Sequence, residues 1–135
     1  MPDERVAAPL AGKTLAPTGS DLVVVEWKID TGGSDPPLYI APLHLHRNDD
    51  EAWYVLEGAL RFGLGDEEVE ASAGGAVVAP RGTVHTFWNP RPEPARYVLV
   101  MTARIAALID ALHAPGAPPP DQVFRQHDSE LIGWP

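Results

Sequence analysis

Three histidines and one glutamate carry the chemistry that this sequence can do. His44 and His46 stand two residues apart in His44-Leu45-His46, Glu51 follows a polar bend (Arg47-Asn48-Asp49-Asp50), and His85 ends the run Pro80-Arg81-Gly82-Thr83-Val84-His85. Side chains alternate along a strand, and the rise is ~3.3 Å per residue, so the two imidazoles of His-x-His leave one face roughly 6.6 Å apart. Ring nitrogens at that spacing converge on one ion with little strain. The bend can return Glu51 to the same face, and the turn Pro80-x-Gly82 would deliver His85 from a distant strand. Three imidazoles and a carboxylate form a borderline-to-hard donor set for one divalent transition ion: Fe, Mn, Ni, Zn, Co or Cu. The affinity order alone does not choose among these. Four protein ligands on an ion that prefers about six leave positions for water or substrate, so such a site can do chemistry.

The elements that must position these residues read as short strands. Leu22–Ile29 is β-branched and ends in alternation. Further strands are expected at Lys13–Leu15, Leu38–Ile40, Leu43–His46, Ala52–Leu56, Ala59–Leu64, Glu68–Ala71, Ala76–Ala79, His85–Trp88 and Arg96–Met101. Turn residues such as Glu57-Gly58, Gly65-Asp66 and Gly74-Gly75 separate them, which argues for an all-β sandwich or barrel. One helix interrupts: Ile105, Leu108, Ile109 and Leu112 repeat at helical spacing behind Thr102 as N-cap, and the Pro-rich stretch after Ala114 stops it. The predicted organisation is an N-terminal arm (1–21), a β-barrel (22–102), and a C-terminal helix and tail (103–135). The tail either docks through Val123, Phe124, Leu131, Ile132 and Trp134 or stays free. If Glu51 points inward, Trp53 and Val55 share its face. Tyr54 and Leu56 on the opposite face are also apolar and call for cover by the arm, the helix or a second subunit, so a homodimer is expected.

Composition bounds the partners. The 135 residues suit one domain, and the absence of cysteine excludes disulfides and thiolate ligands. Nineteen acidic against ten basic residues give a formal charge of −9, which repels phosphate backbones and argues against nucleic acid. The start shows no signal-peptide pattern, and no apolar run approaches the roughly 20 residues of a membrane span, so a soluble cytoplasmic protein is expected.

The spacing of the two segments resembles that of the cupins, whose motifs read G-x5-H-x-H-x4-E-x6-G and G-x5-P-x-G-x2-H-x3-N. His44, His46, Glu51, Gly58, Gly74, Pro80, Gly82, His85 and Asn89 all match, and fifteen residues separate Gly58 from Gly74. One position departs: Leu38 stands where the first motif opens with glycine, which bears on a local turn and the pocket mouth. The resemblance implies an all-β jelly-roll barrel (a double-stranded β-helix) with the metal inside its mouth, held by His44, His46, Glu51 and His85. The stretches Glu51–Gly58 and Ala79–His85 look most like the small quercetin-dioxygenase-type cupins, in which the glutamate can also act as a base.

A metal-dependent oxidoreductase of dioxygenase type, acting on a small organic substrate with Glu51 as a catalytic group, is the expected function. Two other readings stand beside it: a non-redox isomerase or lyase using the same ion, and a barrel that binds a small molecule without turning it over. Trp53, Val55 and Phe87 are read either as substrate pocket or as ordinary core, and Trp27 as core or interface. His113 and His127 receive no ligand role.

Overall fold

The structure is a computed structural model and describes residues 3–135. Ten strands and two helices follow in order. They are β1 (Thr14–Leu15), β2 (Leu22–Ile29), β3 (Leu43–His46), β4 (Glu51–Glu57), β5 (Ala59–Leu64), β6 (Glu67–Ser72), β7 (Ala76–Ala79), β8 (His85–Trp88), β9 (Ala95–Thr102), α1 (Ala103–His113), α2 (Pro120–Gln126) and β10 (Ser129–Gly133). They build two antiparallel five-stranded sheets, ordered β1-β2-β9-β4-β7 and β10-β3-β8-β5-β6. The chain therefore forms the expected jelly-roll, with helices at its C-terminal end. No helix among the described residues is long and apolar enough to cross a membrane.

Alternation drives the packing. Ala95, Tyr97, Leu99 and Met101 of β9 all point inward, and meet Val23 and Val25 of β2 and Trp53 and Val55 of β4 in one core. From the opposite sheet, Phe62 and Phe87 close that core, with rings 5.9 Å apart and stacked. Burying each such aromatic removes about 150–250 Å² from water, which makes these rings the largest single contributors to barrel closure.

Helix α1 begins where the sequence places its cap: the Thr102 side chain accepts a hydrogen bond from Ile105 N at 3.3 Å. Ile105 joins the barrel core, while Leu108 packs with Val123 and Phe124 of α2 in a second, smaller cluster. The tail thus docks, and adds a helix and a strand that the sequence pattern did not disclose. β10 pairs antiparallel with β3, setting Ser129 opposite His46. Of the five residues expected to dock, Ile132 and Trp134 stay largely exposed: Ile132 lies on the outer face of the edge strand β10, and Trp134 lies just beyond its end.

One expectation needs correction. Leu38–Ile40 is not a strand: it makes one isolated bridge, Tyr39 to Trp88, and one backbone bond from Ile40 N to Phe87 O at 2.9 Å. Prolines at 36, 37 and 42 remove the donors that a continuous ladder needs. Leu38 itself is exposed and does not adopt a positive φ, so its place at the motif's glycine position imposes no backbone strain. The outer face of β4 and β7 is only partly covered within the chain: Leu56 is half-buried, while Tyr54 remains 46% exposed and Val78 54%.

The motif glycines do need to be glycine. Gly58 and Gly82 have φ of +74° and +80°, but a Cβ on Gly58 would lie 2.5 Å from Pro94 O, whereas one on Gly82 meets open space. Gly82→Ala is expected to cost only the left-handed penalty, about 1–2 kcal/mol. Gly58→Ala should cost clearly more, because backbone must move as well. Urea denaturation of the metal-free variants checks the order; equal losses would show that the close approach carries no weight.

Candidate metal centre

Both sheets contribute to one cluster at one end of the barrel. His44 and His46 lie on β3, and His85 opens the neighbouring β8, with His44 and His85 directly opposite each other in register. Glu51 opens β4 in the facing sheet. The polar bend and the Pro-x-Gly turn are fastened to one another: Gly82 N donates to His46 O at 2.7 Å, and Arg81 N donates to an Asp50 carboxylate oxygen at 2.9 Å. All four side chains are buried, and one ligand atom from each lies within 4.8 Å of the others.

Hydrogen bonds on the outer side of each ring set its tautomer. His44 Nδ1 lies 2.7 Å from Pro42 O, and His85 Nδ1 lies 2.9 Å from Thr83 O. Carbonyls only accept, so both Nδ1 atoms carry the proton. His46 Nδ1 sits 2.8 Å from Ser129 Oγ, whose own hydrogen is directed to His127 O at 3.1 Å. The hydroxyl is therefore an acceptor toward His46. In the neutral rings all three Nε2 atoms carry lone pairs, and they face a carboxylate.

Glu51 Oε1 is 3.2 Å from both His46 Nε2 and His85 Nε2, yet His46 Nε2 has no aligned hydrogen-bond partner. Acceptors buried against acceptors repel unless a proton or a cation is shared among them. Donors about 2.1 Å from an ion and at right angles to each other would sit about 3 Å apart, close to the spacing seen here. The residues fit a metal ion.

Burial pushes the Glu51 carboxyl up, but contacts with His46 and His85 outweigh it where those rings share a proton with it, and bring the group down to about 2. Burial, with His85 beside it, lowers His44 to about 3. At neutral pH these two are a carboxylate and a neutral imidazole, the states in which they bind metal.

A cavity of about 700 Å³ opens above the cluster, with His44, His46 and Glu51 on its wall. Trp53 and Phe87 also line it, whereas Val55 of the same predicted pocket is fully buried in the core and does not. Trp27, read from sequence as core or interface, lines the cavity and is 37% exposed. The remaining wall comes largely from Ile105, Leu108, Ile109 and Leu112 of α1 and from Phe124 of α2, whose ring lies 5.3 Å from that of His44. The helical stripe was visible in the sequence, but periodicity does not say whether an apolar face meets core or ligand. Two supports went unread: Ser129, and Asp49, whose buried carboxylate takes Arg104 Nε at 2.9 Å and ties the bend before Glu51 to α1.

Residues 25–101 match the Cupin_2 family model, described as a cupin domain. No curated protein matches the chain. Among solved structures, it is similar to an uncharacterized conserved protein with a double-stranded β-helix domain from Klebsiella pneumoniae, at 30% identity and TM-score 0.54, covering 67% of this chain and 73% of that one. It is also similar to KdgF from Halomonas sp., at 31% identity and TM-score 0.54, over 67% and 74% of the two chains. A cupin-2 domain containing protein from Shewanella frigidimarina shares the fold at 22% identity and TM-score 0.50, over 65% and 76%.

His46→Ala and His85→Ala should each retain the fold and lose most bound metal after loading and desalting. Ser129→Ala should weaken metal affinity by about 10–100-fold, and Ser129→Thr should restore much of it. Elemental analysis and competition with a chelator measure both; unchanged metal content in the two histidine variants would refute the assignment.

Proposed function

The chain belongs to the cupin domain family, and from that premise we propose that it is a metal-dependent enzyme of dioxygenase type acting on a small organic molecule. The observation that carries this reading is the buried cluster of three imidazole nitrogens and a carboxylate, set in the wall of a largely apolar cavity. His44, His46, Glu51 and His85 would hold one divalent transition ion. Such an ion, when bound, polarises a substrate oxygen and, if redox-active, supports oxygen chemistry.

The protein's own residues divide the remaining work. The helices and the aromatic wall exclude water, which strengthens electrostatic interactions at the cluster. Glu51 serves first as an anionic ligand. Released from that role, it could accept a substrate hydroxyl proton. The outer hydrogen bonds to Pro42, Thr83 and Ser129 keep the rings in place throughout.

Protein loaded with Fe(II), Mn(II) or Ni(II) should consume oxygen with a catechol, a flavonol or a diketone. An oxygen electrode reads the outcome, and silence across a broad panel counts against it. The donor set suits Zn(II) equally well. Turnover that persists without oxygen and with Zn(II) would instead favour an isomerase or lyase.

The same proposal includes a homodimer. The uncovered apolar face of β4 and β7, with Tyr54 and Val78 at its centre, is the surface it would use. Sedimentation velocity should show a two-chain species that Tyr54→Lys disperses; a monomer at all concentrations would remove this part of the reading.

A further inference from the structure

The placement of positive charge says what kind of molecule the cavity accepts. Among the described residues, nine of the ten Lys and Arg side chains lie within 3.4 Å of a carboxylate. The tenth, Lys13, is exposed beside β1 in the arm. None of the ten lines the cavity. The ionisable groups that do line it are His44, His46 and Glu51 on the wall described above, with Asp110 and His113 of α1. Both carboxylates there would repel an anion.

The rest of the wall is aromatic and aliphatic. Trp27, Trp53, Phe87, Phe124 and Trp134 offer ring faces, and α1 adds its apolar stripe. A carboxylate or phosphate moved into such surroundings loses its hydration and gains no cationic partner, a cost that a neutral donor such as the unpaired Trp53 Nε1 does not offset. A bound ion could pair with one oxygen group at one end of the cavity and with nothing beyond it.

We propose that the ligand is uncharged along its body: a neutral aromatic or alicyclic compound that presents a hydroxyl or keto oxygen to the cluster. Phosphorylated and carboxylated sugars and acids are excluded by the same wall. The inference rests on the proposed function for the direction in which the ligand points, but the charge preference belongs to the cavity alone.

Naphthol and naphthoate make a matched pair of probes that differ in charge. Titrated calorimetrically into metal-free protein, naphthol should bind about tenfold more tightly or better. Ile40→Arg, at a half-exposed position on the cavity wall, adds a cation without touching the cluster. It should raise naphthoate affinity about tenfold and leave naphthol unchanged. Equal affinities in the parent protein, tighter naphthoate, or no measurable naphthol binding would each overturn the inference. Repeating the titration after metal loading separates the two readings: protein that retains no metal but keeps the naphthol preference sinks the proposed function and leaves the charge selection standing.

Discussion

Four acceptors forced together in a buried space are the constraint on which the rest of this structure depends. Three imidazole lone pairs and a carboxylate do not collect at such distances by packing preference, since each would be better hydrated or matched with a donor. The fold holds them there by fixing the far side of every ring. Two backbone carbonyls and one serine hydroxyl consume the Nδ1 protons, and what remains can only point inward. The arrangement makes sense as a preformed socket for positive charge.

Holding that socket requires the two sheets and the helices to agree on one geometry. Glu51 comes from the sheet opposite the three histidines, so its reach depends on how the barrel closes. The bend before it is clamped twice: Asp49 meets Arg104 of α1, and Asp50 meets Arg81 of the loop that precedes His85. Asp49 is buried and its partner Arg104 half-exposed, so this pair is screened less than one exposed on both sides. The Asp50 pair is exposed and contributes chiefly by direction. The helix that shapes the cavity is thereby tied to the strand that bears its carboxylate.

Most of the barrel was legible in the sequence because alternation and turn residues report a half-buried strand directly. β2, β3, β5, β7 and β8 lie where the pattern puts them, and the ligand spacing identifies the cluster without coordinates. What stayed hidden depends on partners that no local pattern names. Trp53 and Val55 look equivalent on one strand face, yet only the first, two residues from Glu51 along β4, reaches the cavity. Ser129 is a lone hydroxyl in a polar stretch, and its worth appears only when β10 lies beside β3. Leu38–Ile40 has strand composition, but flanking prolines deny it a ladder.

The pairing of His46 with Ser129 bridges 83 residues of sequence. Closing so long a loop is slow relative to forming the hairpins within either sheet. The nitrogen that His46 turns toward the cluster is therefore decided by a residue far along the chain, and not by the His-x-His segment that carries the ring.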